Sequence, residues 1–476
     1  MRALHEVQVS SFSLERFKAL LGERYEEVDE AIDESRRLLR DRVVWHVNST
    51  ARGGGVAELL QSLLAYTRGA GVDVRWLTIF GNPDFFRVTK RIHNHLHESE
   101  GDGGPLGQDE REIYDAALAD AADELVELVN PGDVVYIHDP QPAGLVAHVS
   151  AADIRVIWRC HIGVDDPGEL ARGAWDFMRP YVSDADAYVF SRERFAWEGL
   201  DEDRIWIMPP AIDAFSPKNQ ELDADAVRAI LATIGVEQPD DPGDAVFQRF
   251  DGSEARVGRG ADLVQDGPVP EDAPLVSQVS RWDRLKDPVG VLRCFAEYLE
   301  ADGAHLLLAG PSVAGVSDDP EGAQVLEEVT ARREELPDEK RARVHLASLP
   351  MDDVEENAAM VNAIQRRSDV IVQKSLAEGF GLTVAEAMWK SRPMVASRVG
   401  GIQDQIEDGV SGALIDDPTD LAAVARAIDG FLADPEHAAE VGKAARQRVL
   451  EHFLDTQNLV RYMHLLEKLL APDSDA

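Results

Sequence analysis

At 476 residues the chain is longer than a single hydrophobic core usually supports, so two large domains are expected. Its apolar fraction of 44% is that of a globular protein, no run approaches the ~18 apolar residues of a membrane span, and two cysteines, Cys160 and Cys294, are too few for a disulfide framework. A formal charge of −40, from 88 acidic against 48 basic side chains of which nine are lysine, excludes a surface that attracts nucleic-acid backbones or anionic lipid.

In chain order, residues 1–41 read as a helical, charge-rich extension, and Met1-Arg2-Ala3-Leu4-His5-Glu6 lacks an apolar targeting core, so a reducing cytoplasm is expected. The apolar run from Arg42 to Asn48 is a buried strand, followed by Gly53-Gly54-Gly55 and a helix over Val56–Arg68. Further strands are expected at Val72–Ile79, Asp133–His138, Ile154–Cys160, Ala187–Phe190 and Ile205–Met208, with helical runs between most of them. Such alternation means parallel strands joined by helical crossovers, hence a doubly wound domain over 42–210. Residues 211–273 break the rhythm. Ala224–Gly235 is helical, but the Gly-, Pro- and Asp-rich stretch from Pro239 to Pro274 reads as an insertion, with a hairpin around Val246-Phe247. From Leu275 the alternation resumes and defines a second doubly wound domain over 274–455. A final helix, 456–476, is expected to return to the first domain. The fold class is therefore α/β, two facing Rossmann-like domains with the active site in the cleft between them, because ligands of such sheets bind at the carboxyl ends of strands.

Two stretches at strand ends carry chemistry. Glu378-Gly379-Phe380-Gly381-Leu382-Thr383-Val384-Ala385-Glu386 follows the strand Val370–Gln373 and opens a helix. Gly379 and Gly381 allow close backbone approach, Thr383 and the first N–H groups suit an anion, and Glu378 and Glu386 suit two separate polyols. The bland reading is a glycine-rich turn before an ordinary helix, with Glu386 on a solvated face. Ser280-Arg281-Trp282-Asp283-Arg284-Leu285-Lys286 ends the second domain's first strand, placing Arg281 and Lys286 where a departing diphosphate needs cations; a loop paired with abundant acids is the alternative. His93, His95 and His97 have the wrong spacing for a metal site on one helix face and lie in a loop-like stretch, so no metal is expected.

The Glu378–Glu386 motif with Arg281 and Lys286 resembles that of the glycogen-synthase-like retaining glycosyltransferases of GT-B fold. The segments Asn48-Ser49-Thr50, Gly53-Gly54-Gly55-Val56-Ala57-Glu58, Ile137-His138-Asp139-Pro140-Gln141-Pro142, Trp158-Arg159-Cys160-His161-Ile162 and Met208-Pro209-Pro210 are similar to those of a narrower family, the trehalose glycosyltransferring synthases. The resemblance implies that Arg281 and Lys286 bind the donor diphosphate. It implies that Glu378, Gly379, Phe380 and Gly381 lie at the transferred glucose, Leu382 and Thr383 at the phosphates, and Glu386 at the ribose. Gly54 and Gly55 would close over the diphosphate and His161 would lie near the glucose 6-hydroxyl. Asn48, Asp139 and Gln141 are expected to hold the acceptor glucose. The bland readings are a core histidine for His161 and, for Asp139, a cap on a helix begun by Pro140. The donor is a nucleoside diphosphate glucose with adenine, uracil or guanine as base, no cofactor or metal is needed, and a homodimer is compatible with the sequence. A trehalose phosphorylase, a transferase with another acceptor, and a nucleotide-sugar-binding regulator without turnover remain open.

The acidity and lysine poverty fit a salt-rich environment, where the Debye length falls to about 3 Å at 1 M and self-repulsion is screened. The melting temperature is accordingly expected to rise in molar KCl; a thermal scan unmoved by salt contradicts this reading.

Overall fold

The computed structural model describes residues 2–51, 55–152, 154–313 and 320–471. Two compact units emerge from its contacts: residues up to Ala211 together with those from Asp455 onward, and Ile212–Leu454.

The first unit is a seven-stranded sheet in the order β1-β3-β2-β4-β5-β6-β7. Its strands are β1 (Leu4–Val7), β2 (Val43–Asn48), β3 (Asp73–Ile79), β4 (Val134–His138), β5 (Arg155–Cys160), β6 (Ala187–Phe190) and β7 (Ile205–Ile207). All neighbours are parallel except β1, which runs antiparallel to β3 with Leu4 opposite Ile79. β4 is buried at every position, because helices cover both faces of a parallel sheet. The 1–41 segment expected to be helical thus also holds an edge strand. Its four residues alternate too briefly to show a period, but Leu4 is buried and the Ala3 and Leu4 N–H groups donate to Glu124. The helix Asp455–Leu470 belongs to this unit and packs on the helices Tyr25–Leu38 and Gly55–Gly69, with Leu465 fully buried.

The second unit holds β8 (Val246–Gln248) and β9 (Glu254–Arg256), an antiparallel hairpin, and a seven-stranded sheet in the order β10-β13-β12-β11-β14-β15-β16. The sheet strands are β10 (Asp262–Val264), β11 (Leu275–Val279), β12 (His305–Pro311), β13 (Val344–Leu349), β14 (Val370–Gln373), β15 (Met394–Ser397) and β16 (Ala413–Ile415). The period-two alternation is plain in β12: Leu306 and Leu308 enter one apolar cluster and Leu307 and Ala309 the other. The segment 212–273 lies within this unit. Helix Ala224–Ile234 packs on helix Val354–Arg367, β10 pairs antiparallel with β13, and Phe247, Val257 and Val269 join the second cluster.

In each sheet the strand order reverses at one point. The chain leaves β2 toward β3 and returns on the other side at β4; it leaves β11 toward β12 and returns at β14. The crossovers diverge there, so the crevices open at the carboxyl ends of β2 and β4, and of β11 and β14.

Phe247 is 2% exposed although its strand is three residues long, so the hairpin is anchored rather than appended. Phe247→Ala is expected to cost the second unit about 3–5 kcal/mol, the usual range for emptying a buried phenylalanine site, read by urea denaturation.

Candidate functional site

At the β11/β14 reversal, two loops are bound together. The 3₁₀ turn Arg284–Lys286 follows β11, and the Leu376 N–H after β14 donates to the Leu285 carbonyl at 2.7 Å. Asp287, at φ +47°, caps the next helix by accepting from the Gly290 N–H at 2.9 Å, and its carboxylate also pairs with the buried Lys374. That corner aims Lys286 at Glu378, and the two side chains form an ion pair that also takes a hydrogen bond from Ser375 Oγ. Both partners are only 11–15% exposed. Arg281 is instead 65% exposed and paired with Asp283 at 3.0 Å.

The Glu378–Gly381 loop is held from below. Gly381 adopts φ +80°, and the Gln405 amide donates to the Phe380 carbonyl at 2.6 Å. The Gly401 N–H donates to the Gly379 carbonyl at 2.8 Å. At Gly400, φ +49°, a Cβ would stand 1.7 Å from the Glu378 carbonyl oxygen, so only glycine fits. Leu382 and Thr383 open the helix Leu382–Trp389, whose N-cap Gly381 brings no side-chain cap; the Val384 N–H goes to the Gly381 carbonyl at 2.9 Å, and a helix start of this kind suits an anion. Glu386 is buried, not on a solvated face. One of its oxygens lies 3.5 Å from Lys218 Nζ and the other has no hydrogen-bond partner among the described residues. A buried carboxylate oxygen left without a donor suits a ligand hydroxyl. Beneath it the Lys390 ammonium donates to Asn219 Oδ1 and the Glu386 carbonyl, and burial pushes its pKa well down.

In the first unit, Asp139 ends β4 at φ +64°. Its carboxylate accepts from the His161 N–H at 2.7 Å rather than capping a helix at Pro140; the next helical turn, Ala143–Leu145, is capped by Pro142. Burial pushes the Asp139 carboxyl up to about 7. His161, partly exposed after β5, is bonded through Nε2 to His138 Nδ1 at 3.3 Å. Asn48 is buried with its amide occupied, accepting from Trp76 Nε1 at 2.8 Å and donating to the Thr50 carbonyl at 2.7 Å. It therefore braces the end of β2. Gln141 is half-buried, Gly55 begins an exposed helix start, and Gly54 lies outside the described residues. His93 and His95 are in the helix Pro83–Leu96, not in a loop; His93 faces His97 at one turn's spacing while His95 turns inward.

Several supports were not singled out from the sequence: Ser375, Gly400, Gly401, Gln405, Lys374 and Asp287 in one unit, His46, His138 and Arg159 in the other. Gly400-Gly401 ahead of a short helix is the one local signal among them. Ser375 and Asp287 bond to Glu378 and Gly290, three residues on, and the others act through partners far along the chain.

Residues 46–197 match the family described as trehalose synthase, N-terminal domain, and residues 261–448 match glycosyl transferases group 1. A trehalose synthase of Pyrococcus horikoshii is 35% identical over 98% of this chain and 99% of its own length. A trehalose phosphorylase of Pleurotus pulmonarius is 25% identical, over 88% of this chain and 56% of that one. Among solved structures, an E. coli trehalose-6-phosphate structure bound with UDP-2-fluoro glucose aligns with TM-score 0.66 at 13% identity, over 90% of this chain and 99% of that one. The fold is GT-B.

Asp139 sets a pH signature. Its folded pKa lies above the ordinary 3.8, so its contribution to stability is full below that value and is lost as pH rises through about 7. The buried His46 and His138 are displaced downward, and their contribution is lost as pH falls below 6.5. The two slopes oppose each other. Asp139→Asn removes the first, so the loss of unfolding free energy between pH 6.5 and pH 4 should steepen by about 1.4 kcal/mol per pH unit, read by urea denaturation.

Proposed function

This chain belongs to the trehalose synthase family of glycosyltransferases, and we propose that it makes trehalose by moving glucose from ADP-, UDP- or GDP-glucose to the anomeric hydroxyl of free glucose, reversibly and with retention. The observation that carries this reading is the Lys286–Glu378 pair at the β11/β14 reversal, with the glycine-held loop beside it. A carboxylate and an ammonium in contact offer a sugar hydroxyl one acceptor and a diphosphate oxygen one cation. Arg281, exposed and lightly paired, adds a second cation that a phosphate can recruit.

In the reaction the bond from the glucose anomeric carbon to the diphosphate oxygen breaks and a bond to the acceptor hydroxyl oxygen forms on the same face. The acceptor's proton passes to the departing phosphate oxygen. Lys286 and Arg281 stabilise the charge that builds on that phosphate, without a metal ion. Glu378 and the backbone of Gly379, Phe380 and Gly381 hold the glucose, and the unpartnered Glu386 oxygen takes a ribose hydroxyl. Asp139 and Gln141 hold the acceptor glucose, and His161 meets the glucose 6-hydroxyl. Asn48, with its amide already committed, acts by holding the strand end. Most of the rate enhancement on this scheme comes from positioning and charge stabilisation.

The test is a donor panel of ADP-, UDP- and GDP-glucose with free glucose, assayed for a non-reducing disaccharide. Lys286→Ala and Arg281→Ala should each lower kcat by about 100-fold or more, the scale of losing one electrostatic stabiliser. Full activity in both variants discards the assignment. Trehalose consumed by phosphate alone, with no product from any donor, selects the phosphorylase chemistry instead.

A further inference from the structure

Three imidazoles of the first unit stand in one hydrogen-bonded row. His46 Nδ1 lies 2.9 Å from His138 Nε2, and His138 Nδ1 lies 3.3 Å from His161 Nε2. The rings are stepped and nearly parallel, with 22° and 18° between successive planes. His46 comes from β2, His138 from β4 and His161 from the end of β5, three neighbouring strands. The row therefore runs across the β2/β4 reversal, from two buried rings to one that is partly exposed.

Burial and a neighbouring guanidinium oppose the row's becoming charged. Arg159, fully buried on β5, donates only to the Met208 carbonyl, at 3.4 Å; its Nε and Nη1 have no hydrogen-bond partner among the described residues, and its guanidinium lies over the Tyr462 ring. Tyr136 of β4 stacks on His46 at 4.7 Å, and Tyr462 of the C-terminal helix stands edge-on to Tyr136. Arg461 on the same helix acts on Arg159 as a second positive charge, and Asp139, at the end of β4, acts on it with the opposite sign. Burial and Arg159 hold all three imidazoles below the ordinary histidine range, His46 at about 3.

A neutral imidazole carries one N–H. His138 spends both nitrogens within the row, so it must donate to one neighbour and accept from the other. With its proton on Nδ1, it donates to His161 Nε2, and the His161 proton is then on Nδ1. With its proton on Nε2, it donates to His46, accepts from His161 Nε2–H, and leaves His161 Nδ1 bare. The row has two proton arrangements, and each fixes whether His161 Nδ1 donates or accepts.

We propose that His138, backed by His46, is a positioning residue that sets the tautomer of His161 and couples it to the buried end of the row. The functional part of this inference rests on the proposed contact between His161 and the glucose 6-hydroxyl. A hydroxyl is both donor and acceptor, so it can meet whichever arrangement the buried end of the row holds. A lone histidine at the strand end would instead be free to choose its tautomer.

The experiment pairs a spectroscopic reading with kinetics. In the full chain labelled with 15N-histidine, His161 is expected to stay neutral with a single tautomer through pH 6.5. In His138→Phe it should show mixed tautomers while staying neutral, because burial and Arg159 remain, and His138→Gln, which restores one hydrogen bond, should recover much of the wild-type spectrum. With natural donor, His138→Phe should lower kcat by about tenfold, the size of one lost hydrogen bond, with KM for the donor little changed. With a 6-deoxyglucose donor the gap between wild type and variant should close. Unchanged His161 signals in His138→Phe overturn the proposal, as does an equal kcat loss with both donors. The spectra need no turnover, so failure of the disaccharide assay in wild type would count against the proposed reaction and leave the proton arrangement separately testable.

Discussion

The candidate site of the second unit depends on one constraint, the reversal of strand order between β11 and β14. Because the crossovers diverge there, the loops after these two strands have no helix between them. They meet directly, through the Leu376 to Leu285 hydrogen bond and the Lys286–Glu378 ion pair. A surface ion pair is worth little, but this one is largely buried and needs its geometry supplied from outside. Asp287 and Lys374 fix the lysine's side; Gly400, Gly401 and Gln405 fix the glutamate's side. The pair is thus the visible end of a scaffold whose members come from four separate loops and helices.

The first unit solves a different problem with the same topology. Its reversal is lined by polar groups taken from inside the sheet, most of them buried. Three histidines satisfy one another, and Asp139 takes the His161 N–H. Arg159 is left with two nitrogens unpaired among the described residues, an expense of desolvation that no carboxylate offsets directly. Its charge, together with burial, keeps the neighbouring rings neutral. One unit presents a cation–carboxylate pair and the other presents neutral donors and acceptors.

Much of this was legible in the residues because parallel sheets write a strong signal. β2, β4, β5, β11 and β14 are short β-branched or apolar runs followed by helical periodicity, and the expected spans agree with the observed ones to within a residue or two. The meeting of Glu378 with Lys286 was expected from two compact motifs that each follow a strand. β1 was hidden because four residues carry no period, and β10 because its pairing partner β13 lies some eighty residues away. The histidine row was hidden for a related reason. His46 and His138 read as ordinary members of buried strands, and only the alignment of β2 with β4 brings their nitrogens into contact. Asn48 shows the reverse case, a strand-end amide that looks available and is already committed to Trp76 and Thr50.

The helix Asp455–Leu470 gives the chain a particular order of assembly. It fills the face of the first unit against the helices Tyr25–Leu38 and Gly55–Gly69, yet it is made only after the whole of Ile212–Leu454. During synthesis the first unit must wait with that apolar face unsealed while the ribosome spells out more than two hundred further residues. The second unit, continuous in sequence, can fold as it emerges. The piece that completes the earlier domain arrives after the later one, so a ribosome that stalls before Asp455 spares the later domain and leaves the earlier one open to aggregation and degradation.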